Sequence, residues 1–270
     1  MKSFPAFGIL FGSRGKLAEL RALLEANSGL PGPRSNLELG YAFASAVSGM
    51  HLQEWQWEFL LGAAATSAHK APENTPGVYV VFCAVLALGA LYGRGQPRPR
   101  RRAALAAIKA AASDTRWRVR EAAAMALQQI GEQDAEALRT IVTEWMPEAS
   151  FLELRAIAAG LAHPPILDSE MAGFSLDIAR RILAAVSRAE KKARRDDSFR
   201  VLRQGMGYAL SVFVAKSPAE GFTVMRKSAA VRDADVAWII KENLKKKRLS
   251  EAFAKEVEQV SLILEEANPG

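Results

Sequence analysis

Apolar residues recur along the chain in stretches of helical length, separated by short polar turns, and the punctuation between them repeats. Asn36, Thr75 and Asp114 are residue types that cap helix N-termini, and each precedes an apolar-rich stretch. Gly49, Gly93 and Gly131 follow such stretches as stop signals. No run of strand-period alternation bounded by hairpin turns interrupts this order. The pattern predicts helix, turn, helix throughout, an all-α chain. The most apolar run, "VYVVFCAVLALGALY" from Val78 to Tyr92, is 15 residues long, short of the ~20 that a membrane-spanning helix needs. It reads as a buried helix.

The stretch "DTRWRVREAAAMAL" (Asp114 to Leu127) aligns without a gap on "DSFRVLRQGMGYAL" (Asp197 to Leu210). Asp, an aliphatic residue five later, Arg six later and Leu thirteen later coincide. Carried through the chain, the aliphatic position falls on Tyr41, Val80, Val119, Leu154, Leu202 and Ile240, at separations of 39, 39, 35, 48 and 38 residues. Periods of this size with two helices per unit belong to helical solenoids. Five residues earlier stand Asn36, Thr75, Asp114, Ala149, Asp197 and Asp235, five of them capping types and the sixth followed by Ser150. One residue later stand Ala42, Val81, Arg120, Arg155, Arg203 and Lys241. First helices of the pairs are predicted at about 14 to 27, 52 to 68, 100 to 112, 134 to 146, 170 to 188 and 217 to 229. A closing helix, "SEAFAKEVEQVSLILEE", puts Phe253, Val257, Val260 and Leu264 on one face.

"DTRWRVREAAAMALQQIG" and "LRQGMGYAL" resemble HEAT repeats, and with "WIIKENLKKKRL" (Trp238 to Leu249) they are similar to bacterial HEAT-repeat proteins that distantly resemble the HEAT-like alkylpurine DNA glycosylases. The resemblance covers Arg94 to Leu249. It implies a right-handed α-solenoid, here expected as one domain over 1–270: six helix pairs at about 13–49, 51–93, 98–131, 134–162, 169–216 and 217–249, with a cap at 250–266. It further implies that Arg120, Arg155 and Arg203 form a structural ladder with the capping aspartates of neighbouring units. Trp117 shares its place with Leu39, Val78, Leu152, Arg200 and Trp238, so it reads as a space filler between stacked helices. The glycosylase resemblance supplies an enzymatic alternative, DNA repair by base excision, in which Asp114 would be the catalytic acid beside Trp117, Trp145 and Trp238. Against it, Asp114 sits at a repeated capping position, where a carboxylate is committed to backbone N–H groups. The expectation is therefore a non-enzymatic chain.

Composition narrows the partner. Lys and Arg number 36 against 29 Asp and Glu, a formal charge of +7, which favours anionic macromolecules. A single cysteine, Cys83, excludes an intrachain disulfide and fits a reducing, cytoplasmic setting. "MKSFPAFGILFG" has one lysine and no small-residue cleavage site, so it does not read as a signal peptide. "FGSRGKLAEL" is no phosphate loop, because Leu17 follows Lys16 where Ser or Thr must reach the metal. His51, His69 and His163 are scattered without metal-ligand spacing, and no nucleophile elbow marks a hydrolase serine. Neither a cofactor nor a metal is expected.

Three basic clusters remain. "RGQPRPRRR" offers Arg94, Arg98, Arg100, Arg101 and Arg102 with no acid, and its prolines are expected to keep the arginines off a helix. "KENLKKKRL" offers Lys245, Lys246, Lys247 and Arg248. "RAEKKARRDD" (Arg188 to Asp197) is offset by its own aspartates and reads as a solvated turn. In a solenoid the first and third would share an edge about 30 to 40 Å apart. The expected function is a scaffold that binds DNA or RNA, ahead of an acidic protein, with no membrane role. A scaffold for proteins alone, with dispensable basic clusters, is the remaining alternative.

Overall fold

A computed structural model describes residues 7–93 and 95–267, and every regular element among them is helical. The chain groups into two compact units, one ending at Asp134 and one beginning at Ala135.

The first unit holds α1 (Phe7–Phe11), α2 (Leu17–Ala26), α3 (Leu37–Ser48), α4 (Glu54–Ala64), α5 (Pro76–Leu91), α6 (Arg98–Ala112) and α7 (Trp117–Gln133). Second helices of successive pairs pack side by side, α3 on α5 and α5 on α7, while α4 meets α6 in the other layer. α5 touches both layers, because a helix with no polar face can be stable in water only when neighbours surround it. Every residue from Val78 to Leu91 is buried. Asn36 caps α3 as its residue type predicts, accepting a hydrogen bond from the amide of Leu39. α1, unmarked in the sequence pattern, is held by Phe7 and Phe11, whose rings meet Phe43 edge-on at 5.4 and 5.9 Å.

Gly89 sets the approach of α5 to α7. A methyl group there would lie 2.6 Å from Cα of Ala126, against backbone that cannot rotate away. This gives a sign test. On helix propensity alone Gly→Ala stabilises by about 1 kcal/mol, whereas overpacking a close helix contact costs about 1–3 kcal/mol. Gly89→Ala is expected to lower the denaturation midpoint. Gly62→Ala in α4, where the same methyl meets nothing within 4 Å, is expected to raise it. A stabilised Gly89→Ala variant would show that the two helices separate at little cost.

The second unit holds α8 (Ala135–Trp145), α9 (Phe151–Leu161), α10 (Ser169–Arg188), α11 (Asp197–Lys216), α12 (Pro218–Ala229), α13 (Ala234–Leu244), α14 (Lys247–Ser250) and α15 (Ala254–Ala267). Here α11 lies between α9 and α13, and α12 contacts α10 and α15. Ser150 and Glu153 form a reciprocal capping box at the start of α9. α15 closes the unit with Val260 and Leu264 buried and Phe253 against Phe222 at 5.6 Å. The α11–α13 contact is cemented by Asn243, a fully buried side chain. Its amide accepts from the N–H of Ser211 and donates to the carbonyls of Met206 and Ile239.

The helices lie within a few residues of the predicted spans, with shifts at several caps. Asp114 is two residues ahead of Arg116, the N-cap position of α7. Asp197 is the first residue of α11, and Asp233 caps α13 in place of Asp235. Gly131 lies buried inside α7, which runs on to Gln133. Asp233 accepts from the amides of Asp235 and Val236, which makes it the better cap of α13.

Candidate nucleic-acid interface

The first basic cluster builds the start of α6. Contrary to the expectation that proline would keep these arginines off a helix, α6 begins at Arg98 with Pro99 in its first turn. Proline is tolerated there because first-turn N–H groups have no intrahelical partner to lose. The four arginines also divide. Arg100 is not available to a ligand: it bonds to the Glu54 carboxylate at 2.8 Å and the Leu52 carbonyl at 3.2 Å, with its guanidinium over Trp57. Arg101 is partly covered, 6.0 Å from the Tyr92 ring centroid. Arg98 and Arg102 are exposed and line an open depression of about 670 Å³ with Pro99, Ala103 and Ala106. The first turn of α6 carries no acidic residue. Arg94 lies outside the described residues.

The third cluster organises around a residue that the sequence reading passed over. In "LRQGMGYAL" the two glycines of α11 make room for side chains of the flanking helices. At Gly205 the aliphatic stem of Arg155 lies so close that a methyl would sit 3.0 Å from its Cγ; at Gly207 the Trp238 indole does the same. The next residue, Tyr208, is left 50% exposed. Arg248 donates to its hydroxyl at 2.9 Å and places its guanidinium carbon 4.7 Å from the ring centroid, with Lys246 Nζ at 5.9 Å. Lys245 pairs with Glu242, and Lys247 with Glu251 at 3.5 Å. Burial was the missing signal: nothing in the sequence separates this tyrosine from the core positions around it.

The middle cluster is structural to a degree its composition hides. Arg194 bridges Asp233 and Asp235 at 2.8 Å each and donates to the carbonyls of Ser187 and Ala189. Arg203 Nε also lies 2.9 Å from an Asp235 oxygen, an ion pair that makes one rung of the expected ladder. Burial pushes Asp233 upward, but the hydrogen bonds and charge of Arg194 outweigh it and hold the carboxyl below the usual carboxylate range. Arg120 donates within its own turn, to the carbonyls of Asp114 and Thr115.

Asp114, the catalytic candidate of the enzymatic alternative, is committed to a salt bridge. Arg116 binds both its oxygens, Nε to Oδ1 at 2.8 Å and the terminal nitrogen to Oδ2 at 2.7 Å. Trp117 departs from its expected role as filler. It is 45% exposed, lies 4.4 Å from the guanidinium carbon of the buried Arg118, and lines a cavity of about 210 Å³ with Leu37, Phe82 and Met125. Leu39 and Val78 are the third residues of α3 and α5 and are buried, but α7 begins two residues later in the register. The buried third residue of α7 is therefore Val119, and Trp117 opens the helix at its rim.

No family model, curated protein or solved structure matches this chain. The interface rests on its own geometry. No helix among the described residues is long and apolar enough to cross a membrane.

Proposed function

We propose that the chain is a non-enzymatic scaffold of HEAT-like helix pairs, a right-handed solenoid, that binds nucleic acid through its phosphates in the cytoplasm. The single observation that carries this reading is the start of α6. Exposed cations at a helix N-terminus face the positive end of the helix dipole and are disfavoured, yet Arg98 and Arg102 stand there with no ion-pair partner among the described residues. A phosphate relieves both conflicts at once, since it pairs with the guanidinium groups and suits the helix end. The commitment of Asp114 to Arg116 supports the non-enzymatic side of the reading.

The test is a charge-removing triple variant, Arg98→Gln with Arg101→Gln and Arg102→Gln, leaving the Glu54-bound Arg100 in place. Binding to unrelated duplex sequences should weaken alike, because phosphate contacts carry no base information. The plot of log affinity against log salt should become shallower by about 0.9 for each duplex phosphate contact removed. The melting temperature should barely move. An affinity loss with an unchanged salt slope would show that these arginines do not grip phosphate. Absence of nucleic-acid binding by the intact protein at low salt would remove the reading in favour of a protein partner.

A further inference from the structure

The cations around Tyr208 divide in a way that a merely solvated helix end does not require. In the run from Lys245 to Arg248, the first and third residues find carboxylates, Glu242 and Glu251. The second and fourth, Lys246 and Arg248, have no ion-pair partner among the described residues and converge instead on the Tyr208 ring. That ring is half-exposed on α11, in the same helical stripe as the exposed Gln204 and Arg200. The result is a half-exposed aromatic ring flanked by two cations that lie over it, with Glu242 the nearby acid.

We infer that Tyr208 is a stacking platform for an unpaired nucleobase, with Lys246 and Arg248 holding the phosphates beside that base, so that this face takes single-stranded nucleic acid. The inference rests on the nucleic-acid reading above and names the ligand class. A duplex presents phosphates and groove edges, which would engage the two cations and leave the ring idle. An unpaired base offers a π-face, and because every base has one, the contact is sequence-tolerant. Arg248 donates to the hydroxyl and leans over the ring, 4.7 Å from its centroid, so the base stacks on the part of the ring that stays exposed. Arg248 thereby has two roles, orienting the tyrosine and meeting the strand.

The experiment compares a labelled 16-nucleotide oligothymidine with a hairpin duplex by fluorescence anisotropy at low salt, using the full chain and the variants Tyr208→Ala and Tyr208→Phe. Tyr208→Ala should weaken oligothymidine binding by roughly 5- to 150-fold, the range for loss of one stacked base, and leave duplex binding and the melting temperature unchanged. Tyr208→Phe keeps the ring and loses the hydroxyl, and should stay within about 2-fold of the parent. Equal losses for Phe and Ala would mean that the tyrosine acts only by holding Arg248, which overturns the stacking role. Duplex bound as tightly as the single strand, with Tyr208→Ala neutral on both, would overturn this inference and leave the nucleic-acid reading standing. No binding of either probe by the parent protein would bring down both.

Discussion

Arg116→Ala should destabilise the first unit by about 3–5 kcal/mol, the range for breaking a buried, hydrogen-bonded ion pair by removing one partner. Arg116 is only 3% exposed. Besides the two Asp114 oxygens, its guanidinium serves the carbonyls of Thr66 and Ala71 at 2.8 and 2.9 Å. It thus ties the turn before α7 to the segment that leads from α4 to α5. Alanine leaves a carboxylate and two carbonyls in the same small volume without their donor, and lysine cannot restore the fork of parallel bonds. The loss should also depend on pH. Burial pushes Asp114 upward, while the hydrogen bonds and charge of Arg116 outweigh it and hold the carboxyl below the usual carboxylate range. A folded-state value lower than the unfolded one stabilises the protein fully above the unfolded value, near ~3.9. That contribution disappears as pH falls through the folded value. Urea titrations of parent and variant at neutral pH should therefore differ widely, and the difference should narrow as pH is lowered through the carboxylate range. A gap that stays constant across that range would contradict the linkage.

The second large effect belongs to Asn243. Its amide stands between the carbonyl of Met206 and the N–H of Ser211, two backbone groups five residues apart in α11, and satisfies both while its own helix supplies the Ile239 carbonyl. Asn243→Leu is similar in volume and removes three hydrogen bonds from a fully buried site, at about 0.5–1.5 kcal/mol each. The expected cost is about 1.5–4.5 kcal/mol, a large share of the ~5–15 kcal/mol that holds a typical domain together. Asn243→Asp should lose nearly as much, because an ionised carboxylate can accept from Ser211 but turns a lone pair toward the two carbonyls. Hydrogen exchange at Ser211 is the local readout: protection should collapse there first. A denaturation midpoint within error of the parent for the leucine variant would mean that α11 closes its own ladder when the amide is gone.

Much of this architecture was legible without coordinates, for a local reason. Caps such as Asn36 and Ser150 act on amides three residues away, and a run such as Val78 to Leu91 declares its burial by having no polar face. These are interactions within one or two turns, so residue type and spacing determine them. The same locality explains the misread caps. Asp114 is a good capping type, but its carboxylate accepts from the N–H and the guanidinium of Arg116 and does not reach the first amides of α7.

The chain by itself therefore determined that the protein is helical, where most of its helices begin and end to within a few residues, and that its charge surplus is concentrated in arginine- and lysine-rich clusters. Tertiary structure decided which of those charges are spent. Arg100 and Arg194 disappear into partners 46 residues or about 40 residues away in sequence, Glu54 and the Asp233–Asp235 pair, while Arg98, Arg102, Lys246 and Arg248 find no carboxylate among the described residues. It also decided which aromatic rings face out: Trp117 is exposed where its register mates Leu39 and Val78 are buried, and glycines at 205 and 207 draw Arg155 and Trp238 onto α11 while Tyr208 stays exposed. Exposure and pairing depend on which helices lie alongside, and that is a property of packing between segments distant in sequence, beyond the reach of any spacing rule along one of them.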